Sequence, residues 1–438
     1  MNMEKRNVCI LGAGGRDFHN FLTKYRDNQY YDVKFFTATQ IPGIEKRVFP
    51  KVLAGKLYKR DIPIFPESDL SMLIKKYEIN DVVFSYSDVS HEDVMHKASI
   101  AIANGANFVL LGGKDTMIKS EKPVISICAV RTGAGKSQTS RKVAEVLKKH
   151  GKRVVAIRHP MPYGDLKKEV VQRFANYADF EKNKCTIEER EEYEPWVERG
   201  MVIYAGVDYE KILKEAEKEA DIIIWDGGNN DLPFYKPDLH IVVTDPHRAG
   251  HELLYHPGEA NFRMADVIVI NKMDTAPKEG VEKVLANIKS CNPNAIVVKA
   301  ESKIIVEGMP LRGKKVLVVE DGPTLTHGGM KFGAGIVATK RAGAIIVSPV
   351  KSAVGSIRDT YKKYSHIHDV LPAMGYSDKQ IKELETTINK VNVDVVIDAT
   401  PVKLSGIIRI NKPIVNVSYV LNERGLNLET VLKKKKFI

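Results

Sequence analysis

At 438 residues the chain is too long for one ordinary domain, and about 150 residues per domain gives two or three. A hydrophobic fraction of 43% beside 28% charged residues belongs to a water-soluble globular protein and excludes disorder as the main state. The 67 Lys+Arg exceed the 55 Asp+Glu by 12, but they are scattered among the acids. That balance fits small polyanions such as nucleotides as well as it fits nucleic acid, and the motifs favour the former.

Cys9, Cys128, Cys185 and Cys291 lie far apart, which supports neither a disulfide scaffold nor a Cys-pair zinc site and suggests a reducing, cytoplasmic setting. No apolar run approaches the roughly 18 residues of a membrane span, and the N-terminus has no signal-peptide pattern. Short apolar strands alternate with amphipathic helices throughout, the pattern of an α/β protein with mostly parallel sheets.

The first strand, around Asn7 to Leu11, ends in Gly12-Ala13-Gly14-Gly15-Arg16-Asp17. Further strands near Val33–Thr37, Val82–Tyr86 and Phe108–Leu111 complete a Rossmann-like N-terminal domain over residues 1–120. The glycine loop lacks the third glycine of a dinucleotide site, and no acidic residue closes the second strand, so an NAD site is poorly supported. A phosphate on the helix N-terminus and a tight structural turn both remain open for it.

A P-loop NTPase domain is expected over residues 121–310. Strand 124–129 leads into Val130-Arg131-Thr132-Gly133-Ala134-Gly135-Lys136-Ser137 and then a helix from about Gln138 to His150. In that context Gly133, Ala134, Gly135 and Gln138 surround nucleotide phosphates, Lys136 reaches the β- and γ-phosphates, and Ser137 ligates Mg²⁺. The usual first glycine is Val130. Ile222–Trp225 followed by Asp226 reads as a buried strand ending in the second Mg²⁺ carboxylate. Asn271-Lys272-Met273-Asp274 follows another strand and is similar to the guanine-reading motif of GTPases, so Asn271, Lys272 and Asp274 are placed near the base. Strand-and-helix patterning continues over 311–438, either as a third lobe or as an extension of the same sheet. The run Lys433–Lys436 reads as a solvated helix end.

Three loops after strands carry basic residues: Arg158 to Asp165, with His159; Asp245 to His251, with Arg248; and Glu320 to Lys331, with Asp321 and His327. Convergence of Arg158, His159, Asp165, Arg248, Asp321, His327 and Lys331 suits an anionic phosphorylated second substrate. His247 and His251 lack the partners of a zinc site.

Gly133–Ser137, the Arg158–Leu166 loop and the Glu320–Gly329 loop together resemble the cyclic 2,3-diphosphoglycerate synthetase family and its predicted-GTPase relatives, over nearly the whole chain. The Gly12–Asp17 start is more like the relatives than the synthetases proper. The resemblance implies a SIMIBI-type P-loop NTPase that uses Mg-ATP to close 2,3-diphosphoglycerate into an intramolecular pyrophosphate, releasing ADP and phosphate. It implies catalytic roles for Lys136, Asp226, Arg158, His159 and His327. It also implies a homodimer in which Arg131, standing where relatives carry a signature lysine, contacts a nucleotide phosphate. An exposed arginine is the plainer reading of Arg131. The alternative function, drawn from the Asn271–Asp274 motif, is a GTP-binding and hydrolysing regulatory or chaperone-like GTPase acting on a protein partner.

Overall fold

The computed structural model describes residues 5–39, 47–159, 164–326, 330–374 and 377–438. Two large sheets organise them. In the N-terminal lobe the parallel strands lie in the order Ile62–Pro66, Tyr31–Ala38, Arg6–Leu11, Asp81–Phe84, Asn107–Leu110, and Val48–Phe49 adds an antiparallel edge. Helices cover both faces, so the central strand is apolar without alternation: Val8, Cys9, Ile10 and Leu11 are all fully buried. This is the doubly wound order, with its crevice where the chain reverses direction beside Arg6–Leu11.

The second sheet begins at an antiparallel edge strand, Gln172–Phe174, and runs through Val202–Ala205, Val154–Arg158, Ile222–Asp226, Val124–Ala129, Leu239–Thr244, Val267–Ile270 and Ile296–Glu307. The strand Val124–Ala129, which leads into the expected P-loop, is thus flanked by the strand that ends in Asp226 and by Leu239–Thr244.

The sheet does not stop there. Ile414–Arg424 pairs antiparallel with Ile296–Glu307, and Val395–Ala399 and Lys315–Asp321 continue beyond it. The C-terminal stretch is therefore both an extension of the sheet and a lobe with its own core, built from residues such as Val316, Ile357, Leu384 and Val396. The chain then returns: Leu421 and the helix Leu428–Lys434 bury Leu428, Val431 and Leu432 in the core of the P-loop unit. That return departs from the expectation of 311–438 as one block. Lys433 to Lys436 are exposed at the end of this helix, as the charge run suggested. Among the described residues, no helix is long and apolar enough to cross a membrane.

The N-terminal lobe docks on the P-loop unit through a two-stranded antiparallel ribbon in which Tyr255–His256 pairs with Val89–Ser90. That ribbon brings Asp88 to the base of the phosphate loop.

Candidate functional site

The loop over residues 130–137, the expected phosphate loop, is shaped by two glycines in the left-handed region, Gly133 (φ 79°) and Gly135 (φ 114°). A Cβ on Gly135 would lie 2.0 Å from Asn271 Nδ2, so only glycine fits. Val130, at the position of the missing first glycine, has no positive φ and requires none.

Neighbouring loops hold the phosphate loop by its carbonyls. Arg248 Nη2 donates to the Thr132 carbonyl (2.8 Å), Lys272 Nζ to that of Gly133 (2.6 Å), and Asn271 Nδ2 to that of Ala134 (2.9 Å). Asp245 Oδ2 accepts from both Lys272 Nζ (2.9 Å) and Arg248 Nη2 (3.1 Å), which fixes the two cations. Gly133, Gly135, Lys136, Ser137 and Gln138 consequently border a large cavity, while Ala134 is fully buried beneath the loop.

A charge cluster lies directly beneath the cavity floor, its cations on the lining and its carboxylate under them. Lys136 Nζ donates to Asp226 Oδ1 (2.6 Å), and Ser140 Oγ donates to the same oxygen (2.8 Å). Arg158 Nη1 lies 3.1 Å from Asp226 Oδ2, and its Nη2 lies 2.5 Å from Glu192 Oε1. Burial alone would raise the Asp226 carboxyl, but Lys136 and Arg158 hold it far below the usual carboxylate range. Burial, together with Arg158 close by, lowers the Lys136 ammonium. An ionised carboxylate is thus paired with the Lys136 ammonium beside this loop. The Ser137 hydroxyl and the Asp226 carboxylate are hard oxygen donors of the kind Mg²⁺ takes along with nucleotide phosphates. Among the described residues no group of three or more His, Cys, Asp or Glu could hold a metal by itself, and such an arrangement needs none.

The cavity, about 670 Å³, extends from the phosphate loop to the C-terminal lobe. That volume is within the range of small-molecule and cofactor sites. Its walls carry both signs: Arg131, Arg141, Arg158, Arg199, Arg248 and Lys331 against Glu191, Glu192, Glu198, Asp321 and Asp398. Of the residues expected at the site, Arg131, Gly133, Gly135, Lys136, Ser137, Gln138, Arg158, Arg248, Lys272, Asp321 and Lys331 line this cavity. Ala134, His159, Asp165, Asp226, Asn271 and Asp274 do not. His327 falls outside the described residues.

Several placements differ from what the sequence suggested. His159 turns away from the cavity: its Nε2 lies 2.7 Å from Asp231 Oδ2, and its ring faces Gly15 of the N-terminal lobe. In the glycine loop of that lobe the Asp17 carboxylate accepts from the amides of Gly14 (2.8 Å), Gly15 (3.0 Å) and Phe18 (2.7 Å), the arrangement of a structural turn, and Gly15 packs against His159. Arg131 is not an exposed arginine. Its Nε donates to Asp88 Oδ1 (2.6 Å), its guanidinium stacks 3.6 Å over the Tyr255 ring, and Nη1 lies 2.9 Å from His251 Nδ1. Asp88 also accepts from the Thr132 amide (3.1 Å). Asp165 caps its own turn through the Lys167 amide (3.0 Å). Asp274 accepts from the Ser302 amide (3.4 Å) and lies 3.6 Å from Arg341. His247 bonds Thr275 and His251 bonds Arg131, so the two histidines do not converge.

Sequence reasoning missed Asp88, Glu192, Arg141 and Tyr419. Only Arg141 left a local signal: it stands four residues after Ser137 on the helix Lys136–Lys149 and therefore shares its face.

No family model matches the chain. It is 65% identical over 424 residues to arginine synthetase ArcE of Thermococcus kodakarensis, covering 96% of this chain and 95% of that protein. The chain belongs to the arginine synthetase family. A more distant relative is the cyclic 2,3-diphosphoglycerate synthetase of Thermococcus sibiricus, 25% identical over 310 residues, which span 64% of this chain and 68% of the relative. Both are synthetases, which agrees with the resemblance at that coarser level. Among solved structures, LpxK from Aquifex aeolicus in complex with ATP aligns over 84% of this chain and 98% of its own, at 14% identity and a TM-score of 0.41. The UDP-N-acetylmuramate:L-alanyl-gamma-D-glutamyl-meso-diaminopimelate ligase of Neisseria meningitides aligns over 68% and 80%, at 8% identity and a TM-score of 0.28. In this arginine synthetase family member, Lys136 and Arg158 line the cavity and are held from beneath by Asp226.

Proposed function

We propose that the protein is a Mg-ATP-dependent synthetase that forms arginine by phosphorylating the oxygen of a ureido amino acid and replacing it with ammonia. The γ-phosphoryl group passes to the ureido oxygen, leaving ADP and an O-phosphorylated isourea. Ammonia then attacks the ureido carbon, the C–O bond breaks, phosphate leaves, and the nitrogen sheds a proton as the guanidinium forms. Phosphoryl transfer of this kind needs positioning and charge neutralisation more than a strong base. Lys136 supplies charge at the β- and γ-phosphates, and Arg248, Lys272 and Asn271 keep the loop rigid by holding its carbonyls. Mg²⁺, held by Ser137 and Asp226 with the nucleotide, would supply further neutralisation.

The observation that carries this reading is the two-signed cavity wall running on from the phosphate loop. A zwitterionic amino acid finds partners for both of its charges there. A diphosphoglycerate, with two phosphates and a carboxylate, meets Glu191, Glu192, Glu198 and Asp398, and Arg158 is already engaged by Glu192 and Asp226. The 65% relative favours the same choice. Incubation with Mg-ATP, citrulline and ammonium should give arginine, ADP and phosphate in equal amounts. Parallel reactions with Mg-GTP, and with 2,3-diphosphoglycerate followed by ³¹P NMR, cover the other readings. A new pyrophosphate pair without arginine would replace this proposal with the cyclase, and GTP hydrolysis indifferent to either acceptor would replace it with the regulatory GTPase.

A further inference from the structure

Most cationic groups around the cavity already have partners. Lys136 and Arg158 meet Asp226, Arg248 and Lys272 meet Asp245, and Arg199 meets Glu145 through Nε (2.9 Å) and the Pro195 carbonyl through Nη1 (2.7 Å). Arg141 does not follow this pattern. It projects into the cavity from the phosphate-loop helix, and among the described residues its guanidinium makes no hydrogen bond or ion pair. The hydroxyl of Tyr419, on the strand Ile414–Arg424 that returns from the C-terminal lobe, also borders the cavity with no hydrogen bond among the described residues. The helix that carries Arg141 packs against the strand that carries Tyr419, and both residues line the same cavity; burial acts on both, lowering the arginine and pushing the phenol up to about 12. An arginine offers five N–H donors in a fixed fork matched to a carboxylate. Arg141 is half-buried, and the carboxylates that act on it, Asp226 and Glu192, are hydrogen-bonded or ion-paired to Lys136 and Arg158 instead, so its donors are left for a ligand anion.

Spacing narrows the anion. Arg141 is five residues beyond Lys136, about 7.5 Å along a helix axis at 1.5 Å per residue. In an amino acid with a ureido side chain on three methylenes, five bonds separate the α-carbon from the ureido carbon, about 6 Å when extended. A carboxylate on Arg141 therefore leaves the ureido oxygen near the phosphate end of the cavity. Glu198 on the neighbouring wall suits the α-ammonium.

Resting on the arginine-forming reading above, we infer that Arg141 and Tyr419 clamp the α-carboxylate of the amino-acid acceptor and set the enzyme's specificity for it. The clamp joins the phosphate-loop helix to the C-terminal lobe, so the acceptor is held by both units of the extended sheet.

The test compares citrulline with its decarboxylated analogue, 4-ureidobutylamine, in wild type, Arg141→Met, Arg141→Lys and Tyr419→Phe, each with Mg-ATP and ammonium. Wild type should favour citrulline at least 100-fold in kcat/KM. In Arg141→Met that preference should collapse to within about threefold through loss of citrulline turnover, with the analogue and the KM for ATP unchanged within twofold. Arg141→Lys should restore part of the preference, and Tyr419→Phe should lower it about tenfold. Thermal stability of Arg141→Met should equal or exceed that of wild type, since a half-buried charge with no hydrogen-bonded or ion-paired protein partner among the described residues is removed; a structural arginine would lower it. Retained preference in Arg141→Met, or equal loss on both acceptors, overturns the clamp. A tenfold rise in the KM for ATP assigns Arg141 to a nucleotide phosphate and also overturns it. If wild type forms no arginine, the activity itself fails and the clamp with it, whereas arginine formation with an unaltered Arg141→Met removes the clamp alone.

Discussion

Replacing Asp226 by asparagine tests the physical account of the cavity floor. The carboxylate is 1% exposed and touches Lys136 at 2.6 Å and Arg158 at 3.1 Å. With an effective dielectric of 20, these contacts give gross attractions of about 6 and 5 kcal/mol. Much of that is offset by the desolvation of three ions, so the gross sum overstates what the cluster contributes. Removing the negative partner is another matter, because two buried cations are left with only Glu192 to balance them. Breaking a buried pair in this way costs about 3–5 kcal/mol. For a cooperative unit of 150–250 residues that lowers the Tm by about 6–20 °C. Lys136→Met should cost clearly less, since Asp226 keeps Arg158 and the Ser140 hydroxyl. Lys136→Met combined with Asp226→Asn should recover part of the loss. All four proteins can be followed by scanning calorimetry and by ATP turnover, which each variant should lack. An unchanged Tm in Asp226→Asn would refute the reasoning, and so would a Lys136→Met loss equal to it.

Three further outcomes are expected. Asp88→Asn should weaken ADP binding about tenfold by calorimetry, roughly 1.4 kcal/mol, because Asp88 holds both Arg131 and the Thr132 amide; citrulline KM should not move, and unchanged ADP affinity counts against the bracing role. Gly15→Ala puts a Cβ 2.1 Å from the His159 ring, so its Tm should fall by several degrees, and His159→Ala should relieve the part of that fall due to the clash in the double variant. Glu320 is buried where its carboxyl is pushed up to about 7, so the fold is favoured with the group protonated. Its contribution is complete below about pH 4.5 and is lost as the pH rises towards 7, and a Glu320→Gln difference curve from pH 4 to 8 should lack a fall in that window if this is wrong.

The phosphate loop was legible because strand, glycines, Lys136-Ser137 and helix are contiguous, and each acts locally on the backbone. Asp226 followed from its place at the end of an apolar strand. The partners of these residues were not legible, because they come from elsewhere in the chain. Arg158 and His159 are adjacent, but extended backbone sends neighbours to opposite sides; one meets Asp226 at the cavity floor and the other meets Asp231 at the lobe boundary. Lys272 lies in a motif associated with the base, yet its ammonium reaches back to the Gly133 carbonyl. Arg131 could be read as exposed or as reaching a second subunit, since nothing in its own segment announces Asp88 on another domain. The long pair Ile296–Glu307 and Ile414–Arg424 was equally hidden: many of its residues are only partly buried, so its side chains lack strict alternation, and its pairing spans more than a hundred residues.

The central claim is that the γ-phosphoryl group of ATP is transferred to the acceptor's ureido oxygen in this cavity. Citrulline labelled with ¹⁸O in the ureido group, turned over with Mg-ATP and ammonium, tests it directly by mass spectrometry of the released phosphate. The account predicts one ¹⁸O in each phosphate formed, matched to unlabelled arginine. Arginine accompanied by phosphate free of ¹⁸O would contradict it.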